Sequence, residues 1–580
     1  MANYHELYQI WANDPYFDAE THAELKDIAG DETAIKERFY RYLEFGTGGL
    51  RGIIGAGTNY MNKYTVALAT EAFAEYISQR GEAAKAAGVC ISYDSRKHSQ
   101  EFAEITGLVF AAHGIKARLF SELHPTPMLS YAVRYFKAAA GVMITASHNP
   151  GKYNGYKAYG EDGGQLPPAA ADVVIAAMNK IKDIRDIKPM DKAAAKAAGL
   201  FEYITPKMDE AYFDMLLKIS INGDLVAKHK DMKIVYTPLN GAGNKPVRAI
   251  WKKMGFKNII VVPEQELPDP EFKTCAYPNP EERAALQLAI DLAAKEKADI
   301  VIATDPDSDR TGCCVRLANG EYQVLTGNQI GMLLMDYVLS ARQARGTLPK
   351  NSFVATTIVS TRLAHQVAAH FGVKLYEVLT GFKYIGELIK NLDENGDAHF
   401  QFGFEESYGY LAETEVRDKD AVVGAMLLAE LAVTAAEAGQ TLADRLNDCY
   451  AKYGYGEEKT VSITLEGLAG IEKIKNALDK LRKQSVNEFA GYPLTARRDY
   501  QLRVRCGYRD GKLWQEDLTL PQSNVLLYEF DGLDWACVRP SGTEPKLKIY
   551  CGCYGTDKAT VQERLAVRAA KIKAAIEAEL

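Results

Sequence analysis

Three aspartates alternate in the segment Asp305-Pro306-Asp307-Ser308-Asp309-Arg310, directly after a run over 299–303 that reads as a buried strand. Carboxylates this close repel one another unless a cation neutralises them. Three sets of oxygen ligands suit one hard cation. The plain alternative is an acidic turn open to water. An EF-hand is excluded, because Arg310 holds the sixth position, where glycine is needed, and Arg316 the twelfth, where glutamate is needed. A phosphatase using Asp305 as nucleophile would carry a small hydroxyl or apolar residue at the place of Asp309.

A second segment, Thr145-Ala146-Ser147-His148-Asn149-Pro150, follows an apolar strand over 138–145 and is trailed by Gly151 and Gly155. Proline and glycine give such a loop a defined shape, which a nucleophile needs. There is no Gly-x-Ser-x-Gly elbow, and the adjacent side chains of Ser147 and His148 need not face each other, so a serine hydrolase is disfavoured. Beside three carboxylates and a cation, Ser147 fits phosphoryl transfer, where the ion neutralises charge and the protein positions the groups. Arg539, Ser541, Gly542, Thr543 and Lys546 supply cations, hydroxyls and open backbone amides for gripping a phosphate. Glu405 and Ser407, two apart, are able to accept from and donate to vicinal sugar hydroxyls.

These loops must be held by strands and helices. Helical pieces fill the first forty-odd residues, broken at Asp14-Pro15, and a glycine-dense stretch from Gly46 to Gly57 contains Arg51. Helices over 66–81 and 100–114 then alternate with strands over 89–93, 115–120 and 138–145. A lysine- and alanine-rich zone, 180–198, reads as a solvated connector. The pattern restarts with strands over 233–237, 258–262 and 299–303 separated by helices over 245–254 and 281–297. A third cycle has a helix over 327–342, a strand over 352–357, a helix over 361–371 and a strand over 374–378. It ends in Gln401-Phe402-Gly403-Phe404-Glu405-Glu406-Ser407-Tyr408-Gly409. Three such cycles suggest weak internal repetition of architecture. From about 455 the runs at 461–465, 524–530 and 546–553 read as strands, and a last helix carries Val561, Leu565, Ala569, Ile572, Ile576 and Leu580 on one face.

The whole chain has 580 residues, which at roughly 150 per domain allows about four domains. With 47% hydrophobic and 25% charged residues it has the profile of a globular protein rather than a disordered tail. A net charge of -7 lends no support to a basic surface for nucleic acid, though an acidic total leaves room for a local basic patch. No run of 18 apolar residues marks a membrane span, and the alanine-rich stretch 424–441 is broken by Glu430 and Glu437 into an amphipathic helix. The start of the chain has no basic region followed by an apolar core, so a cytoplasmic location is expected. Nine scattered cysteines form no disulfide framework, and Cys551 with Cys553 is explained by strand spacing better than by zinc. A P-loop kinase is excluded by the lack of Gly-x-x-x-x-Gly-Lys-Ser/Thr.

Taken in order, T-A-S-H-N-P, D-P-D-S-D-R, G-F-E-E-S-Y-G and R-P-S-G-T-E-P-K resemble the α-D-phosphohexomutase superfamily over nearly the whole chain. The length, the Thr380-Gly381-Phe382-Lys383-Tyr384 segment and the wording Phe404-Glu405-Glu406-Ser407 resemble its bacterial α-phosphoglucomutase branch, which is related to animal enzymes that also handle pentose phosphates. The resemblance implies an α/β protein of four domains around a central cleft, three similar mixed α/β domains plus a C-terminal α+β domain. Their boundaries would be 1–205 (phosphoserine loop), 206–325 (metal loop), 326–453 (sugar loops) and 454–580 (phosphate loop).

By the same resemblance Ser147 is phosphorylated in the active enzyme, and Asp305, Asp307 and Asp309 hold Mg2+ against its phosphate. Arg310 would sit beside the transferred group. Glu405 and Ser407 would take sugar hydroxyls, Thr380, Gly381, Phe382 and Lys383 would shape sugar recognition, and Arg539, Ser541, Gly542, Thr543 and Lys546 would bind the second phosphate. The implied reaction converts glucose 1-phosphate to glucose 6-phosphate through glucose 1,6-bisphosphate. Lys157, in Tyr153-Asn154-Gly155-Tyr156-Lys157, is nominated as acid/base, because an ammonium in a cationic, partly desolvated cleft has its pKa lowered towards working pH. Arg51 and His148 are second candidates. Gly48 departs from the family, which more often has alanine or serine there, beside Arg51. Mannose phosphates are an alternative substrate, because Glu405 and Ser407 are expected at O3 and O4 and do not read C2; pentose phosphates are another, set by the span between the Gly381 and Arg539 loops, since a pentose moves the second phosphate closer to the first. A bisphosphate synthase or phosphatase using the same serine is another reading; a sugar-phosphate sensor is opposed by the intact serine and carboxylates. The partner is a small phosphosugar, and the chain a monomer or dimer.

Overall fold

The computed structural model describes residues 3–46, 48–393, 395–396, 398–465, 467–541 and 546–580. Every strand expected from an apolar run is present. Val89–Tyr93 is buried at all five positions, the pattern of a strand covered on both faces. It lies inside a six-stranded sheet ordered Gly49–Ile53, Tyr153–Gly160, Ala140–Ile144, Val89–Tyr93, Ala117–Phe120, Phe201–Ile204. The last four run parallel, and the first two are antiparallel additions at one edge. Helices Lys63–Ser78 and Ser99–Ala112 pack their apolar residues into the same core. The first of these is capped by Asn62, whose side chain accepts from the Tyr64 and Thr65 amides at 3.1 and 3.0 Å.

The second sheet repeats the plan. Its order is Tyr322–Val324, Thr311–Arg316, Ile300–Thr304, Lys233–Thr237, Asn258–Val261, with three parallel strands and two antiparallel additions at one edge. In both sheets a buried parallel strand is followed by a polar loop and an antiparallel return. The return strands were not legible as strands, because Tyr153–Gly160 has neither an apolar run nor clean alternation.

The chain divides into two compact units, Met1–Ile330 with Ile385–Phe402 and Ser407–Ala443, and Gly331–Tyr384 with Gly403–Glu406 and Asp444–Leu580. The first unit contains both sheets above and the helix Ala421–Glu437. That helix corrects the amphipathic reading of 424–441. It is buried from Ala421 through Val433, Glu430 included. The Glu430 carboxylate is satisfied internally: it accepts from the Ile221 and Asn222 amides at 2.8 and 3.0 Å and from the Ser220 hydroxyl.

The second unit contains the parallel pair Ser352–Thr357 and Lys374–Val378, then a seven-stranded antiparallel sheet from 455 to 555. Helix Lys558–Glu577 buries Val561, Leu565, Ala569, Ile572 and Ile576 on that sheet, and Leu580 packs at its end. Cys551 and Cys553 belong to the same apolar core. A chain of alternating charges runs through this unit. Glu377 accepts from Arg362 at 2.6 Å and from Arg498 at 2.9 Å, Arg498 also meets Glu529, and Glu529 accepts from Arg505 at 2.6 Å. Burial works to raise the Glu377 carboxyl, but Arg362, His365 and Arg498 outweigh it and hold it well below the usual range. Among the described residues no single helix is long and apolar enough to cross a membrane.

Asp420 caps the buried helix, accepting from the Val422 and Val423 amides at 2.8 and 2.9 Å and from the Tyr212 hydroxyl at 2.7 Å. Burial pushes its carboxyl up to about 6, against the pull of these hydrogen bonds. Between about pH 4 and 6 the folded chain keeps a proton that the unfolded chain releases, so this group disfavours folding increasingly as pH rises through that window. Asp420→Asn, neutral throughout, is expected to gain stability relative to the parent from about pH 4 to 6 and to hold a constant difference above. Urea midpoints across that range check this, and a difference independent of pH would contradict it.

Candidate active site

The strand Ala140–Ile144 ends, turns through 145–152 and returns as Tyr153–Gly160, with Met143 opposite Lys157. The return passes close to its neighbours: a Cβ on Gly155 would lie 2.5 Å from the Thr145 carbonyl oxygen and 2.8 Å from that of Leu50. At the tip Ser147 adopts a left-handed φ of 53°, uncommon for a residue other than glycine, and is 3% exposed. Its amide donates to Thr145 Oγ1 at 2.8 Å, and the Thr145 hydroxyl donates to Asp94 Oδ2 at 2.6 Å. Arg96 donates to the carbonyls of Ser147 and Asn149 and to those of Pro150 and Tyr153. Asp94 and Arg96 were missed in the sequence. Their signal was a carboxylate and a guanidinium just past the carboxyl end of the buried strand Val89–Tyr93, where α/β sheets place their sites.

The second hairpin, Ile300–Thr304 to Thr311–Arg316, brings its aspartates to the same place. Ser147 Oγ donates to Asp305 Oδ2 at 2.9 Å. One carboxylate oxygen from each of Asp305, Asp307 and Asp309 lies within 4.8 Å of the others, and all three residues are buried. The other Asp305 oxygen accepts the Asp309 and Arg310 amides, both at 3.0 Å. Asp307 accepts from the Thr126 hydroxyl at 2.9 Å. Asp307 Oδ1 and Asp309 Oδ1 are buried with no hydrogen-bond partner among the described residues. Unpaired carboxylate oxygens of this kind fit a divalent cation.

Cations surround the cluster. Lys157 Nζ donates to Asp307 at 2.6 Å and Asp309 at 3.1 Å, while Lys419 Nζ, a residue the sequence did not single out, lies 3.3 Å from Asp309 and 3.0 Å from Asp418. Burial and then the other two aspartates push Asp305 well above the carboxylate range. Burial acts the same way on Asp309, but Lys157, Lys419 and Arg310 outweigh it and hold that carboxyl well below the range. The expectation of a lysine tuned downwards is corrected. Burial does act to lower Lys157, yet Asp307 and Asp309 prevail and raise it, so it is held as an ammonium.

His148 does face the serine: its Nδ1 lies 3.2 Å from Ser147 Oγ. Burial, with the nearby Arg310 and Arg51 guanidiniums, holds its pKa well below the ordinary imidazole value. Arg310 donates to Glu281 at 2.8 Å, and Arg51 reaches Asn149 at 3.4 Å. Gly48 has a local reason. A Cβ there would lie 3.3 Å from Gln165 Oε1, and the Gln165 amide donates to Asp418 at 3.0 Å.

The remaining expected residues divide between the units. Ser407 belongs to the first; Thr380, Gly381, Phe382, Lys383, Glu405, Arg539, Ser541 and Lys546 belong to the second. Phe382 and Glu405 are buried, and Thr380 Oγ1 is buried without a hydrogen-bond partner among the described residues. Arg539 and Lys546 stand on the two strands of the hairpin Trp535–Pro540 and Lys546–Gly555, and Ser541 N donates to the Lys546 carbonyl at 2.7 Å. Burial raises the Tyr550 phenol, Glu406 raises it further, and Arg539 lowers it. Gly542 and Thr543 lie outside the described residues.

Three stretches match the phosphoglucomutase/phosphomannomutase α/β/α domains I (residues 42–185), II (210–319) and III (326–453). The phosphoglucomutase of Staphylococcus epidermidis is 37% identical over 530 residues, covering 91% of this chain and 94% of that protein. Among solved structures, the open form of Paramecium pp63/parafusin, a phosphoglucomutase, superposes with a TM-score of 0.68 at 17% identity, covering 93% of this chain and 96% of that one. Aspergillus fumigatus N-acetylphosphoglucosamine mutase, in complex with GlcNAc-6P and magnesium, gives 0.50 at 14% identity over 96% and 99% of the two chains. The fold is accordingly three mixed α/β/α domains and a further β-rich C-terminal domain.

Removing one anionic oxygen at a time tests the aspartate cluster as a cation site. Asp307→Asn and Asp309→Asn are each expected to weaken Mg2+ or Mn2+ binding at least about tenfold, read by titration calorimetry on the intact chain. Unchanged affinity in both would remove the cluster as the cation site.

Proposed function

The chain belongs to the phosphoglucomutase/phosphomannomutase family, and we propose how its residues carry out the family's chemistry. It is an enzyme with the activity of a phosphoglucomutase, interconverting α-D-glucose 1-phosphate and glucose 6-phosphate. Ser147 carries the phosphoryl group. The observation that carries this reading is the buried, left-handed Ser147 with its Oγ 2.9 Å from Asp305.

In the first half-reaction the phosphorus–oxygen bond at Ser147 breaks as one forms to O6 of glucose 1-phosphate, and the proton given up by the O6 hydroxyl replaces the phosphoryl group on the Ser147 oxygen, giving glucose 1,6-bisphosphate. In the second, the bond from phosphorus to O1 breaks as the 1-phosphoryl returns to Ser147, O1 takes the proton that the Ser147 hydroxyl gives up, and glucose 6-phosphate leaves. The Ser147 hydroxyl must lose a proton as it is rephosphorylated, and neutral His148 at 3.2 Å is placed to accept it. Lys157, which donates to Asp307 and Asp309, would supply positive charge beside the transferred group. Arg310 would turn from Glu281 to the transferred group, and Arg51 would flank it.

Asp305, Asp307, Asp309 and the Ser147 oxygen would hold Mg2+, the cation present in the Aspergillus complex. Bound there, it neutralises charge on the phosphoryl group. Glu405 and Ser407 would take sugar hydroxyls, Thr380 to Lys383 would border the sugar, and the Arg539 hairpin would bind the second phosphate. The four-domain partition at 205, 325 and 453 goes with this reading, one loop to each domain. A cytoplasmic location is supported by nine buried, unpaired thiols.

Purified protein given glucose 1-phosphate, Mg2+ and a trace of glucose 1,6-bisphosphate is expected to form glucose 6-phosphate. Its intact mass should rise by one phosphoryl group with the bisphosphate. Ser147→Ala should remove that rise and lower turnover at least about a thousandfold; turnover within about tenfold of the parent would remove Ser147 as carrier.

A further inference from the structure

We propose that Asp94, Arg96 and Thr145 are positioning residues for the nucleophile: a buried ion pair fixes the backbone of the serine loop and thereby the direction of Ser147 Oγ. The proposal rests on the reading of Ser147 as phosphoryl carrier.

A left-handed conformation is strained for a residue other than glycine and persists only where the surroundings determine it. Here they do so from both sides of the peptide. The Ser147 amide is taken by Thr145 Oγ1, whose own hydroxyl proton is committed to Asp94. The Ser147 carbonyl is taken by Arg96. The same guanidinium accounts for the Asn149 carbonyl at 2.5 Å, Pro150 at 2.9 Å and Tyr153 at 3.0 Å, so the loop is gathered around one planar group. Arg96 Nε lies 3.2 Å from Asp94 Oδ2, and both side chains are fully buried. The other Asp94 oxygen accepts from Ser99 Oγ at 2.8 Å and the Arg96 amide at 3.0 Å. Phe272 closes one side, with its ring centre 5.0 Å from the guanidinium.

None of the three side chains bonds to Ser147 Oγ, whose contacts are Asp305 and His148. Their influence passes through the backbone. A lone buried ion pair gives little net stability, whereas a rigid fork of donors converging on one loop sets geometry, and a displacement of about 1 Å at a nucleophile costs about a hundredfold in rate.

Thr145→Val preserves shape and removes both hydrogen bonds; Thr145→Ser keeps them; Arg96→Lys keeps the charge beside Asp94 and loses the fork. Phosphorylation of the parent by glucose 1,6-bisphosphate is read first by intact mass. A parent that takes no phosphoryl group defeats the reading of Ser147 and leaves no nucleophile to position. With the parent phosphorylated, Thr145→Val and Arg96→Lys should lose about a hundredfold in kcat, with KM for glucose 1-phosphate within about twofold. Thr145→Ser should stay within about fivefold of the parent. A Thr145→Val kcat within about threefold of the parent would overturn the proposal, as would a loss carried wholly by KM. Loss of cooperative melting in both the valine and the lysine variants would also overturn it, in favour of a purely structural role.

Discussion

Three carboxylates buried within 4.8 Å of one another are the constraint around which the first unit is arranged. In a low-dielectric interior they cannot all stay charged without positive groups close by. The chain brings those groups from far away: Lys157 from Tyr153–Gly160, the second strand of the first sheet, and Lys419 from the segment just before the buried helix. Asp309, contacted by both, is held charged, while Asp305, which gives one oxygen to two backbone amides and the other to Ser147, is pushed towards its neutral form. Segments separated by more than a hundred residues are therefore tied together by electrostatics as much as by apolar packing.

The loops that meet at this point share an origin. In each of the first two sheets a fully buried parallel strand runs to its carboxyl end, turns, and comes back antiparallel. A hairpin tip backed on both sides by strands is stiffer than a loop feeding a helix. It also permits residues such as Ser147 and Ser308 to sit at left-handed φ values of 53° each.

The apolar runs were legible because burial on both faces leaves an unbroken signal, as at Val89–Tyr93 and Ile300–Thr304, and the C-terminal stripe was legible because one helical face repeats. The aspartates and Ser147 were legible from residue type and spacing. The return strand Tyr153–Gly160 was not, since its mixed residues pack between two strands and follow no apolar alternation. Glu430 misled for a related reason: a carboxylate with three internal donors is indistinguishable in sequence from one facing water. Arg96 and Lys419 each meet a neighbouring aspartate, but the contacts that tie them to the site, the Ser147 and Asn149 carbonyls and Asp309, lie more than fifty residues away in the chain. The lowered Lys157 failed because its carboxylate neighbours come from another domain's loop.

The run of alternating charges from Arg362 through Glu377, Arg498 and Glu529 to Arg505 bears on how such proteins exchange parts. Glu377 stands three residues before Thr380, so the strand leading to the Thr380 loop is bonded to the C-terminal sheet by a half-buried carboxylate. Replacing residues from 454 onward with those of a relative that lacks a cation at the place of Arg498 would leave Glu377, half-buried, short of a partner. A heritable unit for recombination therefore includes 331–384 along with the C-terminal domain, and a crossover that respects only the linear domain order cuts through an ion pair.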